Sequence, residues 1–242
     1  MSVFAIADLH LSFGDKVDKP MDVFGPAWEG YAEKLKKNWE EAVAPDDTVI
    51  IPGDVSWGLH LEDAMADLAW LDALPGTKVL VRGNHDLWWS SMAKMRKLFP
   101  SVKFIQNDAY MGDGFIVMGS RGWICPGDAH FSEAEDRKIY TREVMRLQMS
   151  AAEASKLAAD AAETGNTPVI LGAMHFPPTN EKKQPSEFTD IFGAAGCRTV
   201  VYGHLHGEYA FYNGPYGYYD GAEYLLCSLD RLECMPKLIL ES

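Results

Sequence analysis

Five apolar, β-branched runs in this chain each end in a cluster of carboxylate, amide or imidazole side chains. Val3-Phe4-Ala5-Ile6-Ala7 leads into Asp8-Leu9-His10, and Thr48-Val49-Ile50-Ile51 into Gly53-Asp54. Val79-Leu80-Val81 precedes Gly83-Asn84-His85-Asp86, Val169-Ile170-Leu171 precedes His175, and Thr199-Val200-Val201-Tyr202 precedes Gly203-His204-Leu205-His206. Such runs read as buried strands. In open α/β sheets the ligand crevice lies outside the carboxyl ends of the strands, so residues far apart in sequence meet there. The meeting point would hold three carboxylates, one amide and five of the seven histidines.

The clusters span residues 8 to 206, with no linker or low-complexity stretch between them. Cutting the chain between them would break the site, so one domain over residues 1–242 is expected, and 47% hydrophobic content supplies its core.

The front half alternates strand and helix, with helices expected over 27–43 and 61–74 and a short one over 92–99. Phe115-Ile116-Val117-Met118 reads as a further strand. Ser132 with Glu135 fits a capping box opening a long helix to Gly165-Asn166, whose Leu147, Ala151, Ala154, Ala158 and Ala161 recur at spacings of three and four. Past His206, the turn signals Asn213-Gly214 and Asp220-Gly221 predict largely antiparallel strands near 208–212, 216–219, 222–227 and 236–240. An α/β fold accommodates both halves: a four-layer α/β/β/α sandwich of two mixed sheets flanked by helices.

Singly the polar clusters are weak signals. Together, at the ends of successive strands, they predict a metal site with seven candidate ligands: Asp8, His10, Asp54, Asn84, His175, His204 and His206. Seven ligands are too many for one tetrahedral ion and suit two ions sharing a bridging carboxylate. Histidine-rich sets favour divalent transition metals (Mn, Fe, Zn, Ni or Co) over Mg or Ca. Two such ions outweigh the charges of Asp8 and Asp54, so the expected guest is an anion, a small phosphorylated substrate.

The formal charge of −13 opposes binding to long nucleic acid or to an anionic membrane. No run approaches the roughly eighteen apolar residues of a membrane span, and the first residues lack a signal-peptide pattern, so a cytoplasmic location is expected. Cys125, Cys197, Cys227 and Cys234 show no C-x-x-C pairing and read as reduced core thiols.

The ordered set D-x-H, G-D, G-N-H-D, H and G-H-x-H, from Asp8 to His206, resembles the calcineurin-like metallophosphoesterase superfamily. The resemblance implies one metal held by Asp8, His10, Asp54 and His206 and a second by Asp54, Asn84, His175 and His204, with Asp54 bridging. It also implies that His85 is not a ligand but faces the scissile phosphate and helps the leaving oxygen depart, oriented by Asp86. A hydroxide bridging the metals would attack phosphorus in line. The interval from Asp8 to Asp54 is long for such proteins, and the extra loop, about Leu11 to Trp28, is expected to overhang the site. Arg121 is a candidate substrate contact, with Trp123 and His130 in the loop beyond it. The expected activity is hydrolysis of a small phosphomonoester or phosphodiester; the competing readings are a catalytically weak scaffold of the same fold and a nuclease acting on short nucleic acid.

Overall fold

The alternation of side chains along each strand sorts the core into three apolar layers. In a computed structural model, which describes residues 1–241, the first sheet holds β1 (Val3–Ala5), β2 (Thr48–Pro52), β3 (Thr77–Val81) and β4 (Val102–Ile105), all parallel, with β11 (Lys237–Leu240) antiparallel beside β1. The second sheet runs β5 (Ala109–Met111), β6 (Phe115–Ser120), β7 (Val169–Met174), β8 (Thr199–Tyr202), β10 (Ala222–Leu226) and β9 (Gly217–Tyr219) in that spatial order, parallel in its interior and antiparallel at both edges.

Ile50, Val79 and Val81 point from the first sheet onto Val117, Leu171, Ala173 and Val201 of the second. Their neighbours Val49, Ile51 and Leu80 point the other way, onto Leu35 and Trp39 of α1 (Tyr31–Ala42) and Leu68 and Leu71 of α2 (Leu61–Ala73). Ile116 and Met118 likewise meet Tyr140, Val144 and Leu147 of α4 (Arg137–Glu163) and Phe188 and Phe192 of α5 (Glu187–Ala194). Parallel strands covered on both faces read as continuous apolar runs, and each such side chain contributes roughly 1.5–3 kcal/mol on burial. The result is the four-layer α/β/β/α sandwich. A one-turn helix, α3 (Met92–Met95), lies between β3 and β4.

Lys78 ties a layer together in a way its charge would not suggest. It is buried, and its Nζ donates to the carbonyls of Leu74 at 2.7 Å, Gly76 at 2.8 Å and Asp72 at 3.3 Å, binding β3 to the end of α2.

Four local expectations are corrected. The first long helix begins at Tyr31 rather than 27, because Gly30 adopts a left-handed conformation (φ 57°) between it and a 3-10 turn, Pro26–Trp28. The Ser132–Glu135 box does not form: α4 starts at Arg137, and the Asp136 carboxylate before it is taken by the Ser132 N–H and the Trp123 indole, both at 2.8 Å. Residues 208–212 contain a 3-10 turn, Ala210–Tyr212, since β10 pairs directly with β8 and leaves no slot between them. β10 is also parallel to its inner neighbour, because the chain first runs back along the edge as β9 and then returns as β10 in the direction of β8. All four cysteines are buried and unpaired. No helix among the described residues is long and apolar enough to cross a membrane.

Candidate metal centre

All seven candidate ligands gather where the two sheets present the carboxyl ends of their strands. Asp8, His10, Asp54 and His175 are buried; Asn84, His204 and His206 are half-buried. The chain reaches this point through unusual backbone. Asp8 (φ 60°), His10 (φ 46°), Asp54 (φ 53°) and His204 (φ 72°) all occupy the left-handed region, which costs a non-glycine residue roughly 1–2 kcal/mol. Strain of this kind concentrates at functional sites held by their surroundings. The surroundings here are main-chain bonds: Asp8 N–H donates to Gly53 O and His10 N–H to Asp54 O, each at 3.0 Å.

Two glycines make the approach possible. A Cβ on Gly53 (φ 88°) would sit 2.6 Å from Gly83 Cα and 2.7 Å from His175 Nδ1, and one on Gly203 would sit 2.6 Å from Asp8 Oδ2. The motif glycines therefore let strand ends and carboxylates close to contact.

The donor atoms fall into two groups. Asn84 Oδ1, His175 Nε2 and His204 Nδ1 lie 2.6, 3.0 and 3.2 Å from one another, with Asp54 Oδ2 3.4 Å from His175 Nε2. On the other side His10 Nε2 lies 3.4 Å from His206 Nε2 and 4.0 Å from Asp54 Oδ2, and His206 Nε2 lies 3.8 Å from Asp8 Oδ1. Ligands about 2.1 Å from a common ion stand roughly 3.0–3.5 Å apart; the His204 contacts, the His175–Asp54 contact and the His10–His206 contact fall in that range, Asn84–His175 is tighter, and the His10–Asp54 and His206–Asp8 contacts are wider. Asp54 Oδ2 faces both.

The chemistry of the donors fits a cation. His175 Nδ1 donates to Pro52 O at 2.9 Å, which leaves a lone pair on Nε2 directed at Asn84 Oδ1 and Asp54 Oδ2, themselves acceptors. Acceptor facing acceptor is relieved by a positive ion between them. His206 is fixed in the same manner, its Nδ1 donating to Asp230 Oδ1 at 3.0 Å while Gly207 N–H holds the other Asp230 oxygen at 2.9 Å. Carbonyl or carboxylate partners of this kind orient ligating imidazoles and set their tautomer. Without a cation, burial pushes the carboxyls of Asp8 up to about 7 and Asp54 to about 6. It also pulls His175 down to about 3 and lowers His10 and His204 well below the usual imidazole range. Burial would lower His206 too, but the Asp230 bond and the Asp8 charge outweigh it and raise the ring to about 9.

His85 is exposed and makes no ring hydrogen bond to any described residue; its imidazole leans on Trp57 (ring centres 4.4 Å apart) and His10 (5.7 Å). Its backbone N–H donates to Asp54 Oδ1 at 2.8 Å, which sets the ring's place relative to the shared carboxylate. Asp86 does not orient that ring. It is fully buried, with one oxygen accepting from Gly83 N–H (2.7 Å) and Asp54 N–H (2.9 Å) and the other from Val55 N–H and Trp88 Nε1 (both 2.9 Å). Its role is to clamp the two ligand loops to each other.

Arg121 also lies elsewhere than expected. Its guanidinium stacks 4.7 Å from the Trp123 ring and pairs at 3.3 Å with the buried Glu143 of α4, which Arg146 also engages at 2.9 Å. A buried carboxylate draws the arginine away from the cavity in front of the donors. His130 is exposed beside a smaller cavity of about 190 Å³ that lies on the other side of His204, which lines both.

The cavity in front of the donors has a volume of about 630 Å³, and residues 21–28 of the long loop cover one side of it, as expected. Asp230 is the residue that sequence reasoning missed. It follows β10 as the other clusters follow their strands, and that placement was the available signal.

Residues 1–208 match the profile of the family described as calcineurin-like phosphoesterase. The Gene 66 protein of Mycobacterium phage D29 is 36% identical over 85 residues, 35% of this chain and 40% of that protein. The Gene 66 protein of Mycobacterium phage L5 is 41% identical over 58 residues, 24% of this chain and 28% of that protein. The matched stretches thus cover less than half the length of these curated relatives. Among solved structures, phosphopantetheinyl hydrolase from Mycobacterium tuberculosis superposes with a TM-score of 0.51 at 18% identity, covering 100% of this chain and 96% of that one. A protein of unknown function from Aquifex aeolicus gives 0.51 at 16% identity, over 98% and 95% of the two chains. At such identities the likeness concerns the fold alone.

Proposed function

This chain belongs to the calcineurin-like phosphoesterase family, and on that premise we propose that it hydrolyses a small phosphomonoester or phosphodiester at a dinuclear centre, with His85 assisting the leaving group. The observation that carries the reading is the pair of donor groups meeting at Asp54, with an exposed His85 ring, free of hydrogen bonds to the described residues, at the wall of the same cavity.

Asp8, His10, Asp54 and His206 would hold one divalent transition ion and Asp54, Asn84, His175 and His204 the other, the metals being drawn from Mn, Fe, Zn, Ni and Co. Bound there, the ions supply Lewis acidity toward a phosphoryl oxygen and toward water. His85 reaches the cavity with neither ring nitrogen bonded to a described residue, so it can give a proton to the oxygen that departs as the P–O bond breaks. The Asp54 carboxylate fixes His85 through the backbone, and Trp57 limits the ring's swing. Asp86 keeps the loops of Asp54 and Asn84 in register. The net charge of −13 supports a small substrate over long nucleic acid.

The test is to purify the protein without chelator, count its metals by elemental analysis, and assay bis-p-nitrophenyl phosphate, p-nitrophenyl phosphate and cyclic nucleotides with added Mn. The expected result is two equivalents of metal and hydrolysis that a chelator abolishes and metal restores. Full metal loading with no turnover on any of these esters would overturn the reading in favour of a scaffold.

A further inference from the structure

The cavity of about 630 Å³ falls within the roughly 300–1,000 Å³ range of sites that enclose a whole small molecule, so there is room for a sizeable group beyond the phosphate. Beside the donors part of its lining is apolar, made by Met21, Phe24, Pro26, Trp28 and Trp57. The loop carrying four of these consists of two 3-10 turns, Met21–Phe24 and Pro26–Trp28, joined at Gly25 (φ 117°).

Most of this wall is rooted. Met21 and Trp28 are buried, and Trp28 packs its ring 5.7 Å from His10, 5.5 Å from His206 and 5.4 Å from Tyr31. The Trp57 indole stacks on His10 (4.7 Å, 19° between planes) and spends its N–H on Met21 Sδ at 3.2 Å. Phe24 differs: its ring is 67% exposed at the cavity mouth and meets no other described aromatic ring.

Polar recognition is missing from this side. No lysine or arginine lines the cavity among the described residues, and the rim carboxylate of Asp230 is occupied by His206 and Gly207. The Lys19 ammonium next to this wall is held over the Trp57 ring, 5.3 Å from its centre, outside the lining, so a second phosphate or a carboxylate on the leaving group would find no lysine or arginine in the cavity lining and would meet the chain's overall negative charge. A polyol would lose water hydrogen bonds against this wall without replacement. An apolar ring would bury its surface and that of Phe24 together.

We infer that this wall is a specificity subsite for an apolar, uncharged leaving group of about aryl size, making the substrate a single-phosphate ester of such a group. The inference rests on the phosphoesterase reading and names the substrate class of that same site.

Two esters of alcohols separate the possibilities: benzyl phosphate and glycerol 2-phosphate, compared by kcat/KM on the Mn-loaded full chain. Binding is read in parallel as tryptophan quenching by benzylphosphonate and methylphosphonate. Wild type should favour the benzyl member by about tenfold or more in both measurements. Phe24→Ala should cut that ratio to about threefold, and Phe24→Leu should keep most of it. Equal values for the two esters, or an undiminished ratio in Phe24→Ala, overturn the subsite. Tenfold tighter benzylphosphonate binding with hydrolysis of neither ester would uphold the subsite and overturn the phosphoesterase reading instead.

Discussion

Asp230 accepts from His206 Nδ1 at 3.0 Å and, with its second oxygen, from the backbone N–H of Gly207 at 2.9 Å, so one carboxylate fixes both the ring and the loop of a ligand on a different strand end. Asp230→Ala should therefore weaken the metal site containing His206 by about 10- to 100-fold, while the site containing His175 keeps its affinity. Metal titration against a competing chelator resolves the two steps. Identical titration curves for variant and wild type would show that His206 is oriented without its partner.

His85→Ala removes a ring that, among the described residues, makes no hydrogen bond and contributes no donor to either group. Elemental analysis should find both metals retained. Turnover should fall by about 10²–10⁴, the usual worth of a positioned proton donor. A variant with normal kcat would take His85 out of the mechanism.

Asp86→Ala leaves five N–H donors, from Gly83, Asp54, Val55, Ser56 and Trp88, without their acceptor in a buried site. A loss of roughly 3–4 kcal/mol is expected in denaturant unfolding, together with weaker metal binding as the Asp54 and Asn84 loops drift apart. An unchanged midpoint would argue that the clamp is redundant.

Lys78→Met tests the buried ammonium between α2 and β3. Near pH 7 the variant should be less stable by roughly 1–3 kcal/mol, having lost three hydrogen bonds to carbonyls. Burial lowers the Lys78 amine from its usual 10.5 to about 8. Between those values the unfolded chain binds the proton and the folded one does not, so wild-type stability rises with pH relative to the variant. Urea melts at pH 8 and pH 10 should show the gap widening; a narrowing gap would contradict the shift.

The strand ends were legible because burial on both faces leaves an uninterrupted apolar run, and the polar residue that follows each run is conspicuous. Asp230 escaped notice because it follows its strand alone, with no histidine or glycine beside it to mark a motif. Arg121 stands at a strand end as well, yet its partner Glu143 lies on α4, and no local pattern announces a pairing across that distance. The Ser132–Glu135 spacing fits a helix start, but Trp123 and Ser132 both compete for Asp136 and delay it. For Arg121, local grammar was right about position, and a contact to another element decided what the side chain does.

The left-handed backbone at Asp8, His10, Asp54 and His204 subjects these positions to selection on two counts. A substitute must offer a metal-binding atom and must also tolerate a torsion that β-branched residues resist. Exchanges that look conservative by coordination chemistry alone would still have to rebuild the main chain, so the permissible alphabet at these sites is narrower than the donor set implies. Redesign toward another metal is accordingly more accessible at Asn84, His175 and His206, where the torsion is ordinary.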